Sequence, residues 1–165
     1  MAGDVTAATY RLIVGARGWD HSAWNGAFYP EDLPEDWRLS YYSNEFRGVL
    51  LPESVWQTAG PREIASWCDD VADGFLFFLQ ASDPLAAGPQ AETYRVLFGS
   101  HWGGVPATAG SVMSADEEWD LRGLRKRLEN LMAQPQGVAV PGFFISGSPP
   151  DIDHLREVKM LADML

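Results

Sequence analysis

The sequence has little cysteine, little histidine and few basic residues, and each scarcity excludes a class of protein. One cysteine and three histidines occur in 165 residues, and 12 lysines and arginines stand against 23 acidic residues, a net charge of -11. The lone Cys68 cannot form an internal disulfide, which suits a reducing compartment. The acidic surface repels phosphate backbones and anionic lipids, which argues against nucleic-acid and membrane partners.

Long apolar runs and metal-ligand motifs are missing too. No segment approaches the roughly 18 apolar residues of a membrane span, and the first ten residues lack the basic and apolar regions of a signal peptide. We therefore expect a cytoplasmic protein. The sequence also predicts no metal site and no cofactor, because its few soft ligands are isolated from one another, namely His21, His101, His154 and Cys68.

Enough apolar residues are present for one hydrophobic core. Hydrophobic residues make up 46% of the chain and charged residues 21%, as in ordinary globular proteins. At this length we expect a single domain over residues 1–165.

Short apolar runs alternate with amphipathic stretches in the first half of the chain. The runs predict strands at residues 10–15, 48–51 and 75–80. The amphipathic stretches predict one helix at 37–46, capped by Asp36, and a second that begins at Pro61. A β-α-β-α-β order with strands apolar on both faces is typical of an α/β fold with a parallel sheet.

The second half is less regular. Residues 81–110 contain one candidate strand at 94–98, and the Ser114–Glu117 pair is a capping-box pattern that predicts the start of a helix ending near Pro135. A strand at 137–145 and a final helix from Asp151 complete the prediction. One basic cluster is interpreted as a solvated helix face: Arg122, Arg125, Lys126 and Arg127.

An unusual combination of glycine and aromatic residues fills the first loop and the helix after it: Gly18, Trp19, Trp24, Gly26, Phe28, Tyr29, Pro30, Leu39, Tyr41, Tyr42 and Phe46. This order resembles the opening of the YecE-like domain-of-unknown-function family, which has a Gly-Trp turn, a Trp-x-Gly-x-Phe-Tyr-Pro loop and a Leu-x-Tyr-Tyr helix. The resemblance covers about the first third of the chain closely and reaches Gln80 more weakly. The last unit resembles the family in apolar pattern alone.

The resemblance implies a fold and an oligomeric state. Family members resemble TIM-type barrels, which typically have about 250 residues. The chain is therefore expected to be a shortened, TIM-barrel-like parallel sheet, an incomplete or open barrel whose missing units fall within 81–110. Because an open barrel exposes sheet edges that must be covered, we predict a homodimer, with completion by a different chain as the alternative.

Three polar residues of the family pattern are replaced where chemistry is expected, at the carboxyl ends of strands. After the second strand the family has Val-Glu-Ile-Asn, where this chain has Val-Leu-Leu-Pro at 49–52. At the end of the third strand Gln80 replaces a lysine. These losses argue against an inherited reaction, although a shift of register makes Glu53 a compensating carboxylate.

Two hypotheses for the function follow. The first is a non-catalytic or degenerate member of the family, a dimeric module that has a binding or structural role. The second is an enzyme for a small polar, sugar-like molecule, with Asp20, His21 and Glu53 as candidate catalytic residues. The candidate ligand-binding residues are Arg17, Trp19, Trp24, Tyr29 and His101. Alternatively, the aromatic residues of the first loop only fill the barrel mouth.

Overall fold

The computed structural model describes residues 12–83, 88–106, 109–133 and 140–165. Parts of the predicted strands at 10–15 and 137–145, and the predicted helix end at Pro135, lie outside these ranges. The described elements, in chain order, are β1 (Ile13–Ala16), α1 (Arg38–Glu45), β2 (Gly48–Leu51), α2 (Glu53–Trp56), α3 (Pro61–Asp70), β3 (Leu76–Leu79), α4 (Gly88–Phe98), β4 (Trp102–Gly104), β5 (Val112–Met113), α5 (Leu121–Ala133), β6 (Gly142–Ile145) and α6 (Ile152–Asp163).

The strands form two parallel three-stranded sheets, which confirms the predicted α/β class. Their orders are β1-β6-β5 and β2-β3-β4. Ile13 pairs with Gly142 in the first sheet and Gly48 with Leu76 in the second. All pairings run in the same direction, so within each sheet the carboxyl ends of the strands lie at one edge.

The two sheets meet along β1 and β2, and the Tyr42 hydroxyl links them. This hydroxyl accepts a hydrogen bond from the Ala16 amide and donates one to the Gly48 carbonyl, both at 2.8 Å. Burial raises the pKa of the Tyr42 phenol, so the hydroxyl keeps the proton that it donates. One side chain thereby satisfies a buried N–H and a buried C=O that have no ladder partner across the junction.

The close approach of the two strands requires glycine. A Cβ atom on Gly15 would lie 2.1 Å from the Gly48 carbonyl oxygen, which is far inside van der Waals contact. Beyond the junction, the Gly18 amide donates to the Leu50 carbonyl at 2.8 Å. The end of β1 is therefore held against the end of β2.

The strands are buried on both faces. One face packs in the main core with the helices through residues such as Val14, Val49 and Phe77. The other face forms a small separate cluster in which every residue is at most 1% exposed: Ile13, Leu50, Phe78 and Phe144. Glycines leave room for its rings, since a Cβ on Gly142 would lie 2.7 Å from the Phe144 ring. Residues of one chain thus fill this second face of the strands.

The last two helices pack through apolar stripes. Leu124, Leu128 and Leu131 of α5 are buried, and so are Leu155 and Val158 of α6. Asp151 caps α6 by accepting the His154 amide at 3.0 Å, which confirms that the final helix begins at this residue. Within the described ranges, no helix is long and apolar enough to cross a membrane.

The predicted strand at 94–98 is wrong, because these residues belong to α4. Alternation of Tyr94, Val96 and Phe98 imitates the two-residue period of a strand. In the structure Tyr94 and Phe98 are buried, whereas Val96 is 71% exposed. The buried pair has the i, i+4 spacing of one helix face.

Two predicted helix starts are also corrected. The Ser114 amide donates to Glu117 Oε2 at 2.8 Å, as in a capping box, but this pair closes a turn and α5 begins at Leu121. Asp36 lies within a 3-10 turn, Glu35–Trp37, and α1 has no side-chain cap. In both places the local hydrogen bonds stabilise a turn instead of nucleating the helix.

The basic face predicted on α5 is only partly solvated. The Arg127 guanidinium turns inward, donates to the Gly110 and Val112 carbonyls at 2.8 and 2.6 Å, and lies over the Phe143 ring. Three short elements were not predicted from the sequence: α2, β4 and β5.

Replacing Tyr42 with phenylalanine tests the junction. Tyr42→Phe leaves the Ala16 N–H and the Gly48 C=O without the partner that the hydroxyl provides, so we expect the free energy of unfolding to fall by about 1–3 kcal/mol. Urea denaturation measures the change. The control is Tyr41→Phe, at a neighbouring residue that is 37% exposed, and an equal effect of both substitutions would argue against the junction.

Candidate functional site

A cavity of about 320 Å³ opens where the first loop meets the carboxyl end of β2 and one face of α3. The first loop supplies its charged and aromatic lining, while β2 and the segment after it supply an apolar floor. The lining residues are Arg17, Gly18, Trp19, Asp20, His21, Leu51, Pro52, Val55, Glu63 and Trp67. Its position agrees with the rule that sites in parallel sheets lie at the carboxyl ends of strands.

A second cavity of about 410 Å³ adjoins the first. The two share Trp19, Asp20, Glu63 and Trp67, and we call their combined surface the groove. The second cavity adds Glu35, Asp36, Leu39, Ser66 and Asp70. The groove is therefore acidic along most of its length.

Arg17 is held at one end of the groove by an amide. Its Nε–H donates a hydrogen bond to the Gln80 side-chain oxygen. The backbone of Gln80 is fixed as well. Its backbone N–H donates to the Leu51 carbonyl, and its backbone carbonyl accepts from the Trp56 indole, both at 2.9 Å. In the part of the chain that the structure describes, the two terminal nitrogens of Arg17 have no hydrogen-bond or ion-pair partner.

His21 has a defined tautomer. Its Nε2 lies 3.0 Å from the Arg17 carbonyl and 3.2 Å from the Gly18 carbonyl. Carbonyls only accept, so Nε2 carries the proton and Nδ1 of the neutral ring is the acceptor. Partial burial of the ring is the largest influence on the His21 pKa and lowers it from 6.5.

Asp20 is paired with a buried cation. Its Oδ1 accepts from Arg38 Nη1 at 2.6 Å, and Arg38, which is 5% exposed, also donates to Asn25 at 3.2 Å. Although Asp20 and His21 are neighbours in sequence, no hydrogen bond joins their side chains among the described contacts. The ion pair with Arg38 fixes Asp20 on the groove wall.

Trp19 and Trp67 form the aromatic part of the groove. Their ring centroids lie 5.2 Å apart in an edge-to-face arrangement, and both residues are half-buried. The Trp19 carbonyl accepts from the Tyr29 hydroxyl at 2.5 Å, which fixes the loop. Glu63 and Trp67 were not among the site residues predicted from the sequence. Their i, i+4 spacing on α3 was the available signal, since it places both on one helix face.

Trp24 and Tyr29, two of the predicted ligand-binding residues, lie in the core and not in the groove. They are 2% and 1% exposed. The Trp24 indole donates to the Pro150 carbonyl at 3.0 Å, and the Trp24 ring contacts Tyr29 and Tyr42. The aromatic cluster of the first loop therefore packs the loop onto α1, while Trp19 alone of the predicted aromatic set lines the groove.

Glu53 and His101 are not brought to the groove. Glu53 accepts from the Ser82 hydroxyl at 3.1 Å and from the Ser82 amide at 3.2 Å. His101 lies in the turn before β4, where its Nδ1 is 2.7 Å from the Phe75 carbonyl, at the amino end of the strands. The turn ends at His101 and β4 follows it directly.

Metal-ligating side chains do not cluster in the described ranges. No group of three or more histidine, cysteine, aspartate and glutamate residues there could hold a metal ion. Cys68 faces the Phe98 carbonyl with its sulfur at 3.8 Å, and burial raises the pKa of its thiol. A raised pKa disfavours the reactive thiolate.

The protonation of His21 can be measured by NMR. We expect a pKa below 6.5 and the Nε2–H tautomer in the side-chain ¹H–¹⁵N correlation spectrum. Because the folded state then binds this proton more weakly than the unfolded state, the free energy of unfolding falls as the pH drops below about 6.5. A pKa at or above 6.5, or an Nδ1–H tautomer, would contradict the geometry described above.

Comparison with known proteins connects this structure with a family. The family described as "Protein of unknown function DUF72" matches residues 13–143. The crystal structure of a DUF72 family protein from Thermotoga maritima has a similar fold, with a TM-score of 0.54 at 13% sequence identity over 93% of this chain and 100% of that chain. No curated protein matches. YecE-like is another name for this family, so the resemblance found in the first loop is confirmed. The chain belongs to the DUF72 family of proteins of unknown function.

Proposed function

We propose that this chain is a small-molecule-binding module and that its ligand site is the groove. The observation that carries the proposal is the 320 Å³ cavity, in which Arg17, Trp19 and Trp67 meet over the apolar floor of Leu51 and Val55. Ligand sites are typically concave, mostly apolar and about 300–1,000 Å³ in volume, with a few fixed polar groups. The amide of Gln80 supplies that fixation for Arg17.

The partners of the Asp20 and Glu53 carboxylates support binding without catalysis. General acid–base chemistry needs a proton donor or acceptor within hydrogen-bond reach of the substrate. Of the three candidate catalytic residues, Asp20 is paired with Arg38, and Glu53 is hydrogen-bonded to Ser82 outside the groove. Near the end of β2 the chain has Leu50 and Pro52 where the family pattern has a glutamate and an asparagine.

An enzyme for a small polar, sugar-like substrate is the second candidate, and His21 favours it. A neutral imidazole with an accepting Nδ1 and a lowered pKa has the properties of a general base. If the groove is catalytic, His21→Asn abolishes turnover of the ligand while its binding persists. If the groove only binds, the wild-type protein leaves the ligand chemically unchanged.

We infer that the two sheets form the wall of one open, barrel-like domain with the order β5-β6-β1-β2-β3-β4. The Phe78 and Phe144 rings support this order, since their centroids are 5.0 Å apart although β3 and β6 are three positions apart in it. In a flat sheet that separation is roughly 14 Å. The wall therefore curves until opposite strands touch.

The homodimer stays a prediction. The inner apolar face does not demand it, because Phe78 and Phe144 are fully buried within one chain. Dimerisation is favoured instead by the outer strands of the proposed order, β4 and β5, because their backbone groups can pair with a partner strand. We expect light scattering at micromolar concentration to give twice the mass of one chain. The mass of a single chain would contradict the dimer.

A metabolite library tests the groove directly. We expect a bound compound to raise the melting temperature of the wild-type protein and to shift the indole N–H resonances of Trp19 and Trp67 while the Trp24 resonance stays in place. Trp67→Leu is expected to remove the thermal shift, and Trp37→Leu, at a site that is 61% exposed, to retain it. Ligand-induced shifts that survive Trp67→Leu would place the site elsewhere.

A further inference from the structure

The groove carries opposite charges at separate places. Arg17 is the only cation among the described residues that line either cavity. Five carboxylates line the groove as well: Asp20, Glu35, Asp36, Glu63 and Asp70. Of these, only Asp20 has a cationic partner in the described part of the chain, namely Arg38.

The Arg17 end is suited to a carboxylate. A guanidinium has five N–H donors in a planar fork, and only the Nε–H of Arg17 is used, on the neutral oxygen of Gln80. The terminal nitrogens remain available in the described structure, and paired N–H groups of this kind bind a carboxylate through two parallel hydrogen bonds. Because Gln80 is uncharged, the positive charge of Arg17 is not neutralised by its anchor.

The side of the groove formed by α3 is suited to an ammonium group. Glu63 is exposed and has no ion-pair or hydrogen-bond partner among the described residues. Trp67 lies one helical turn further along α3 and meets Trp19 edge to face at 5.2 Å. An indole face attracts a cation, and a nearby carboxylate adds to that attraction. Burial raises the pKa of Asp70, and the neighbouring Asp69 and Asp36 carboxylates raise it further.

Ligands with a single charge leave half of this arrangement uncompensated. A phosphate or other anion that binds Arg17 meets the repulsion of the carboxylates along the groove. A simple cation leaves the Arg17 guanidinium without a counter-charge. A molecule with one charge of each sign satisfies both ends.

We propose that the groove binds a small zwitterion, with a carboxylate on the Arg17 fork and an ammonium group against Trp19, Trp67 and Glu63. This inference rests on the proposed function, since it names the ligand class of the same site.

Matched probes separate the two charges. Glycine betaine and its longer homologue γ-butyrobetaine carry both, choline carries only the ammonium group, and 3,3-dimethylbutyrate keeps the carboxylate but replaces the ammonium group with an uncharged group of the same shape. We expect NMR titrations that follow the Trp19 and Trp67 indoles to show at least one betaine binding about tenfold more tightly than either singly charged probe.

Variants assign each charge to its residue. Arg17→Gln is expected to weaken betaine binding by about 10- to 100-fold and to leave choline binding unchanged, because it removes charge-assisted hydrogen bonds. Arg17→Lys keeps the charge without the fork, so a smaller loss is expected. Glu63→Gln acts at an exposed carboxylate, and its expected loss is about two- to fivefold. The matched controls are Arg122→Gln and Glu157→Gln, at exposed positions of α5 and α6.

The outcomes distinguish this inference from the proposed function. If choline or 3,3-dimethylbutyrate binds as tightly as the betaines, or if Arg17→Gln leaves betaine binding unchanged, the zwitterion is wrong while the groove remains a binding site. If the betaines do not bind but a library compound that is not a zwitterion shifts the Trp67 indole, the zwitterion proposal is wrong and the groove remains a binding site. If no compound shifts the Trp19 and Trp67 indoles, both proposals fall.

Discussion

The hydroxyl of Tyr42 holds the two sheets of this protein together. Between β1 and β2 the backbones approach so closely that only glycine fits at position 15. The Tyr42 oxygen, with hydrogen bonds of 2.8 Å to Ala16 and Gly48, satisfies the buried backbone groups there. Because a buried polar group without a partner costs free energy comparable to a lost hydrogen bond, this side chain stabilises the junction between the sheets.

The junction also positions the groove. Arg17 directly follows β1, and its place beside β2 is fixed by the Gly18–Leu50 hydrogen bond of 2.8 Å. From there its side chain reaches Gln80 at the end of β3. Tyr42 also stacks on Trp24, whose ring packs against His21 with centroids 4.5 Å apart. The first loop is therefore packed against the same helix that joins the sheets, so the shape of the site depends on the fold's central contact.

Elements with a local signal could be predicted from the sequence. The strand Gly48–Leu51 and the helix from Pro61 were predicted because an apolar run and a proline at the first helical position are short-range patterns. The prediction failed where two patterns coincide, as at residues 94–98. Alternate apolar residues fit a strand there, and the i, i+4 pair of Tyr94 and Phe98 fits a helix. The segment is helical in the structure, where Tyr94 and Phe98 are both buried in the core. The sequence alone does not reveal that burial.

The site was predictable only in part, for a similar reason. The first loop stood out through Arg17, Trp19, Asp20 and His21, all of which line the groove. The partners that define their chemistry lie far along the chain. Gln80 is 63 residues from Arg17 and Arg38 is 18 from Asp20. Trp24 and Tyr29 are aromatic residues of the kind found in binding loops, yet they pack in the core. A strand-to-helix loop of this length needs buried apolar side chains to hold it against the rest of the fold.

Native-state hydrogen exchange at the Ala16 amide is the most direct measurement of the junction. The described acceptor of this amide is the Tyr42 oxygen. If that oxygen joins the two sheets, Ala16 exchanges only through global unfolding, with the same free energy as the amides of the central strand β3. Exchange of Ala16 at the rate of an exposed loop amide, while β3 stays protected, would show that the sheets are not joined in this way.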